Sequence, residues 1–129
     1  MLDGPWLGTV AASIVRVMET LVERLGDVQI LHLRGRLDLT AATEFSALLN
    51  GIINGGGTKI VMDCRELQYV SSSGLGAFIS GGKKLGPDGK LVFAALNRHV
   101  QNLFEMAGIS SLFQICGSRE DALRQFPAQ

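Results

Sequence analysis

From Met18 onward, apolar and polar positions fall into short blocks that alternate between the two-residue spacing of strands and the three-to-four spacing of helices. Glu19 to Leu25 and Val28 to Leu37 are strand-like, and Gly26-Asp27 between them supplies turn chemistry, which predicts a β-hairpin. Phe45, Leu48, Leu49, Ile52 and Ile53 then recur at helical spacing. Asp38 or Thr40 can cap this amphipathic helix, and Asn54-Gly55-Gly56-Gly57 ends it. Lys59 to Cys64 is a nearly continuous apolar run, as expected for a central strand buried on both faces. Arg65 to Val70 reads as a connector, after which Leu75, Phe78, Ile79 and Leu85 mark a second helix. Gly81 and Gly82 inside it cost about 1 kcal/mol each relative to Ala, so they either permit close packing or leave the helix weak. Gly86-Pro87-Asp88-Gly89 is a turn, Lys90 to Leu96 a fourth strand, and Arg98 to Ala107 a helix capped by Asn97 and closed by a left-handed Gly108. Leu112 to Cys116 gives a last short strand, and Ser118 with Asp121 three residues on resembles a capping box opening a terminal helix.

Strand and helix alternate after the hairpin, which means βαβ units, an α/β fold and a mixed sheet with helices packed on it. In such a sheet, sites collect beyond the carboxyl ends of the strands. Asp38 to Thr40, Arg65 to Ser73 and Asn97 to Arg98 are expected to share that edge. Residues 1–17 lack regular patterning, being broken by Gly4-Pro5 and Gly8, and read as an extension or leader ahead of a single domain over 18–127. Met18 is the expected natural start. Trp6, in the leader, is read as an incidental surface aromatic.

Composition narrows the function classes. Lys plus Arg equals Asp plus Glu at 12 each, so no net positive charge draws the chain to nucleic acid or to an anionic membrane. No apolar run reaches the roughly 18 residues a membrane-spanning helix needs, and no membrane insertion is expected. Cys64 and Cys116 lie in apolar strand-like runs and read as buried free thiols, which fits a reducing, cytoplasmic setting. His32 has no second ligand at metal spacing and reads as structural, and His99 as a solvated residue. The glycines before Thr58-Lys59 do not form a phosphate loop, because that motif needs Gly-Lys-Ser/Thr opening a helix and a strand follows.

The candidate chemistry is in Ser71-Ser72-Ser73, between an apolar strand and an apolar helix. A serine hydrolase would need Gly-x-Ser-x-Gly with a base and an orienting acid, and the triplet has neither the leading glycine nor such partners. A helix cap accounts for one serine and leaves two. A phosphorylation switch uses the same geometry more fully. Phosphoserine adds roughly 1.5 to 2 negative charges, which a helix N-terminus tolerates and a partner fitted to the neutral hydroxyl does not.

The ordered set Gly35-x-Leu37-Asp38, Ile60 to Asp63, Ser71-Ser72-Ser73-Gly74-Leu75-Gly76, and Asn97-x-x-Val100 through Gly108-Ile109 resembles the STAS domain of bacterial anti-sigma-factor antagonists, over about Met18 to Phe126. The resemblance implies a mixed β-sheet of four to five strands with about four helices mainly on one face. It further implies a non-enzymatic partner switch. Unmodified protein binds an anti-sigma factor that is itself an ATP-dependent serine kinase, phosphorylation ends binding, and a phosphatase acting on phosphoserine restores it. ATP belongs to the kinase, so no cofactor is expected, and the chain is expected to be a monomer or weak homodimer. The family's junction usually reads Asp-Ser-Ser/Thr-Gly-Leu. Laid on this chain, Ser71 takes the Asp position and can still cap the helix, Ser72 is the phosphate acceptor, and Ser73 enters the helix. Asp38, Thr40, Ser71, Ser72, Ser73 and Gly74 form the implied partner-binding edge. The alternative the resemblance offers is a STAS subunit that regulates a transporter or a sensory assembly without phosphorylation.

Overall fold

The computed structural model describes residues 18–127, so the readings of the leader and of Trp6 lie outside the described residues. Met18–Leu25 (β1) and Val28–Leu37 (β2) form the expected antiparallel hairpin. Gly26, at φ 63, gives the two-residue turn the left-handed backbone it needs. Then come Leu39–Asn54 (α1), Lys59–Val70 (β3), Ser72–Leu85 (α2), Lys90–Ala94 (β4), Arg98–Met106 (α3), Gln114–Cys116 (β5) and Arg119–Leu123 (α4), with a 3-10 turn at Ile109–Ser111. The strands lie in sequence order in one sheet, and every pair after the hairpin is parallel.

Strand alternation divides the apolar residues between two faces. Leu31, Leu33, Ile60, Met62, Leu91 and Phe93 turn one way, against Phe45, Leu49, Phe78, Val100 and Phe104 of α1, α2 and α3. Phe93 meets Phe78, Phe104 and Phe113 at ring-centroid distances of 4.9, 5.0 and 5.3 Å in edge-on contacts, the geometry aromatic quadrupoles favour. On the other face Val28, Ile30, Val61, Val92 and Ala94 pack against Ala122 of α4 and the following Phe126. Three helices thus cover one face, and one short helix part of the other.

Three sequence expectations are corrected. Arg65 to Val70 is not a connector but the second half of β3, paired with β2 as far as Leu37–Val70. Register shifts between His32 and Arg34 and between Gly35 and Arg36 each give β3 an extra residue. Its buried side chains here therefore fall at Cys64, Leu67 and Val70, three apart, and the period-two signal is lost. β4 stops at Ala94 instead of Leu96 because Ala95 adopts φ 61 and turns the chain away. Cys64 is buried as expected, and burial raises its thiol pKa far above the ordinary value, whereas Cys116 is only half-buried.

The interior glycines of α2 serve close packing. A Cβ on Gly81 would lie 2.5 Å from Leu49 Cδ2, and one on Gly82 would lie 2.6 Å from Phe113 Cε1. The helix runs through both to Leu85.

Candidate functional site

Three adjacent parallel strands, β2, β3 and β4, each hand over to a helix through a side-chain cap. After β2, Asp38 accepts the Ala41 amide at 2.9 Å on Oδ1. After β3, Ser71 accepts the Gly74 amide at 3.1 Å on Oγ. After β4, Asn97 accepts the Val100 amide at 2.8 Å on Oδ1. All three residues hold extended backbone, and each cap satisfies one of the donors that a helix start leaves without an intrahelical partner. Asp38, not Thr40, caps α1.

The three ends are also tied to each other. The Ser71 amide donates to the Leu37 carbonyl at 2.8 Å, so the β2–β3 ladder continues into the cap itself. Asn97 Nδ2 donates to the Leu67 carbonyl at 3.1 Å. β3 outruns β4 by several residues, and this side chain takes a hydrogen bond that a longer β4 would have made.

On this frame the hydroxyl-bearing candidates separate. Ser71 is half-buried and occupied as a cap, while Ser72 and Ser73, in the first turn of α2, are exposed. Thr40 is exposed in the first turn of α1, next to Leu39, a large apolar side chain 69% exposed. Gly74 is buried: a Cβ there would lie 2.8 Å from side-chain carbons of both Leu37 and Val70. That close approach holds the first turn of α2 down on the ends of β2 and β3. Asp38 and Ser71 are brought together by the Leu37–Val70 pair, whereas Arg65 lies back within β3.

Sequence reasoning missed two groupings. At the same edge Arg36 Cζ sits 4.5 Å from the centroid of the Tyr69 ring, and His99 stacks on that ring at 6.2 Å. Further back along the sheet, under α4, the buried Asp63 has Oδ2 3.1 Å from His32 Nε2 and 3.8 Å from Arg119 Nη1, while Oδ1 accepts the Arg65 amide. Arg119 also pairs with Glu23 at 2.8 Å, so the start of α4 is tied to β1 and β3. His32 is therefore structural as expected, with a partner no spacing could reveal. The described residues contain no cluster of His, Cys, Asp and Glu able to hold a metal ion. No described helix is long and apolar enough to cross a membrane.

A family model described as "Mlab, STAS domain" matches residues 20–114, from the hairpin to the last strand and across all three capped helix starts. The chain belongs to the STAS family. BtrV of Bordetella bronchiseptica, a protein named as an anti-sigma factor antagonist, is 31% identical over 110 residues, which cover 84% of this chain and 95% of that one. Among solved structures, an anti-sigma factor antagonist from Mycobacterium paratuberculosis has a TM-score of 0.79 at 20% identity, covering 84% of this chain and 92% of its own. The Bacillus protein SpoIIAA, solved in its phosphorylated form, has a TM-score of 0.67 at 20% identity, covering 83% of this chain and 98% of its own. These structural likenesses establish the STAS fold, with its five-stranded mixed sheet and four helices.

Proposed function

We propose that this STAS domain, over residues 18–127, is an anti-sigma-factor antagonist that works by partner switching. Unphosphorylated, it binds a kinase-type anti-sigma factor at the edge formed by Asp38, Thr40, Ser71, Ser72 and Ser73, with the buried Gly74 seating the helix turn that presents the serines. Phosphorylation of Ser72 releases that partner, and a phosphoserine phosphatase resets the switch. The chain acts as a regulatory protein in the cytoplasm, as a monomer or weak homodimer, with ATP belonging to its partner.

The observation that carries this reading is the division of labour at α2. Ser71 makes the cap, which leaves the exposed Ser72 hydroxyl free of any structural duty. A group added there changes the charge of the edge without removing a bond the fold uses. The relative BtrV, similar over nearly its whole length, bears a name that agrees.

The test is incubation with the anti-sigma factor recovered by pull-down, in the presence of ATP, followed by phosphate mapping. Phosphate is expected on Ser72, with Ser72→Ala retaining the partner and Ser72→Asp losing it. Phosphate on Ser71, or on neither serine, would overturn the assignment.

One observation favours a second reading. Ser71 stands where the family's switch commonly carries Asp, so the carboxylate beside the acceptor is missing. A STAS subunit that regulates a transporter or sensory assembly without phosphorylation needs no such carboxylate. Co-purification of an ATPase or permease, with Ser72→Asp still bound, would support it.

A further inference from the structure

The carboxyl edge carries a group of side chains that the caps do not use. Arg36 and Tyr69 face each other across the β2–β3 ladder, one step before the Leu37–Val70 pair that ends it. Arg36 lies on the Tyr69 ring at 4.5 Å and His99 stacks on the same ring. Arg98, next to His99 in the first turn of α3, is exposed, as are Arg36 and His99. Tyr69 is three residues from Ser72, a chain distance of at most about 11 Å. The strand end that carries Tyr69 thus runs directly into the helix start that carries the proposed phosphate acceptor.

The charge around the Tyr69 ring comes from arginine, while Asp38, which caps α1, keeps a negative charge at the same edge. The first turns of α1, α2 and α3 contain no acidic residue. Of the carboxylates near the ring, Glu66 is paired with Arg34 at 3.3 Å. Among the described residues neither Arg36 nor Arg98 forms an ion pair with a carboxylate. The whole chain is balanced at 12 cations and 12 acids, so this grouping of Arg36 and Arg98 is a local arrangement and not a consequence of composition. Stacking on Tyr69 also holds the Arg36 guanidinium in place, which lowers the entropy cost of using it in a contact.

We infer that Arg36, Tyr69, Arg98 and His99 form a cationic docking patch beside Ser72 that fits an acidic surface on the anti-sigma factor, with Leu39 as an apolar contact at its margin. The inference rests on the partner-switching reading for the identity of the partner and adds the chemistry of the surface it presents. It also supplies a physical reason for release. A phosphoryl group on Ser72 brings roughly 1.5 to 2 negative charges to the place the partner's acids occupy, repelling them and competing for the same arginines.

Two measurements on the full chain test this. First, a ten-residue oligoglutamate is titrated at low salt into isotope-labelled protein while backbone amide shifts are followed. Changes are expected at Arg36, Tyr69, Arg98 and His99, with apparent affinity at least fivefold weaker in the Arg36→Glu/Arg98→Glu double variant. Changes centred on Lys83 and Lys84, or an unchanged affinity, would overturn the patch. Second, binding of the anti-sigma factor to the double variant is expected to weaken at least tenfold, and Arg36→Gln/Arg98→Gln by an intermediate factor. The neutral pair keeps the test valid if charge reversal impairs folding. If Ser72 takes phosphate while the double variant binds that partner as tightly as the parent, the patch is refuted and the switch stands. If Ser72 takes none while oligoglutamate still maps to these residues, the switch fails and the patch survives.

Discussion

Substitution at Ser71 separates the cap from the switch. Ser71 Oγ accepts the Gly74 amide, and the Ser71 amide is held by the Leu37 carbonyl, so position 71 is fixed on both sides. Ser71→Ala removes only the side-chain acceptor and is expected to cost about 1 kcal/mol. Ser71→Asp keeps an acceptor and adds a charge at the start of a 14-residue helix that has no acid in its first turn and Lys83 and Lys84 in its last. The aligned peptide dipoles favour that charge by about 0.3–1 kcal/mol. The expected order of stability near neutral pH is therefore Ala below Ser below Asp, spanning about 1.5 kcal/mol. Urea unfolding followed by far-ultraviolet circular dichroism resolves such a difference. The pH dependence gives a second check. A carboxylate favoured by the helix start has a lower pKa folded than unfolded, so its added stability is complete above the unfolded value of about 3.9. It is lost as pH falls through the folded value. An Asp advantage that persists at pH 2, or an Ala variant as stable as the parent, would refute the cap.

Other expected outcomes follow from particular contacts. Asn97→Ala removes both the cap on α3 and the donor to the Leu67 carbonyl. Its cost is expected at about 2 kcal/mol, clearly above that of Ser71→Ala in the same urea assay, and equal costs would mean that the Leu67 bond contributes nothing. Gly81→Ala drives a methyl into the buried Leu49 at 2.5 Å, whereas a Cβ on Gly51 of α1 meets nothing within 4 Å. The first is expected to destabilise by about 1–2 kcal/mol even after the helix-propensity gain. The second is expected to stabilise by about 0.5–1 kcal/mol, and thermal midpoints moving in the same direction would contradict the packing role of Gly81.

The sequence made legible those features whose signal is local. The hairpin turn at Gly26-Asp27, the helical spacing from Phe45 to Ile53, and the caps at Asn97 and Ser118 are each contained within a few residues, and the structure has all of them. The order of elements then led to a mixed sheet. The second half of β3 was not legible, because two bulges put its buried residues at Cys64, Leu67 and Val70 and erase the strand period. The exit of β4 was hidden for a related reason: Ala95 adopts a left-handed conformation for which nothing in its side chain signals a preference. At the edge, local reasoning pointed to the serines as a candidate site but could not find Arg36, Tyr69 and His99 as a group. Those residues come from two strands and a helix, and only the β2–β3 register and the placement of α3 beside the overhanging end of β3 unite them.

The same edge explains why a phosphate on Ser72 would act on the partner and not on the fold. Ser72 is the first residue of α2, where the dipole accommodates negative charge at a gain of up to about 1 kcal/mol, and its side chain is exposed. The bonds that hold the edge are the Ser71 cap, the Ser71–Leu37 link and the Asn97–Leu67 link, and none of them uses the Ser72 hydroxyl. Modified and unmodified protein should therefore have denaturation midpoints within about 1 kcal/mol of each other, while their affinities for the partner differ by orders of magnitude. On the proposed reading, partner affinity follows the charge at Ser72, while stability follows the cap at Ser71. Adjacent hydroxyls would then carry the two properties, so Ser71→Ala should lower stability while leaving the charge-dependent loss of binding in Ser72→Asp intact. If Ser71→Ala instead abolished the response to charge at position 72, the two roles would be one, and the division on which the switch is built would be absent.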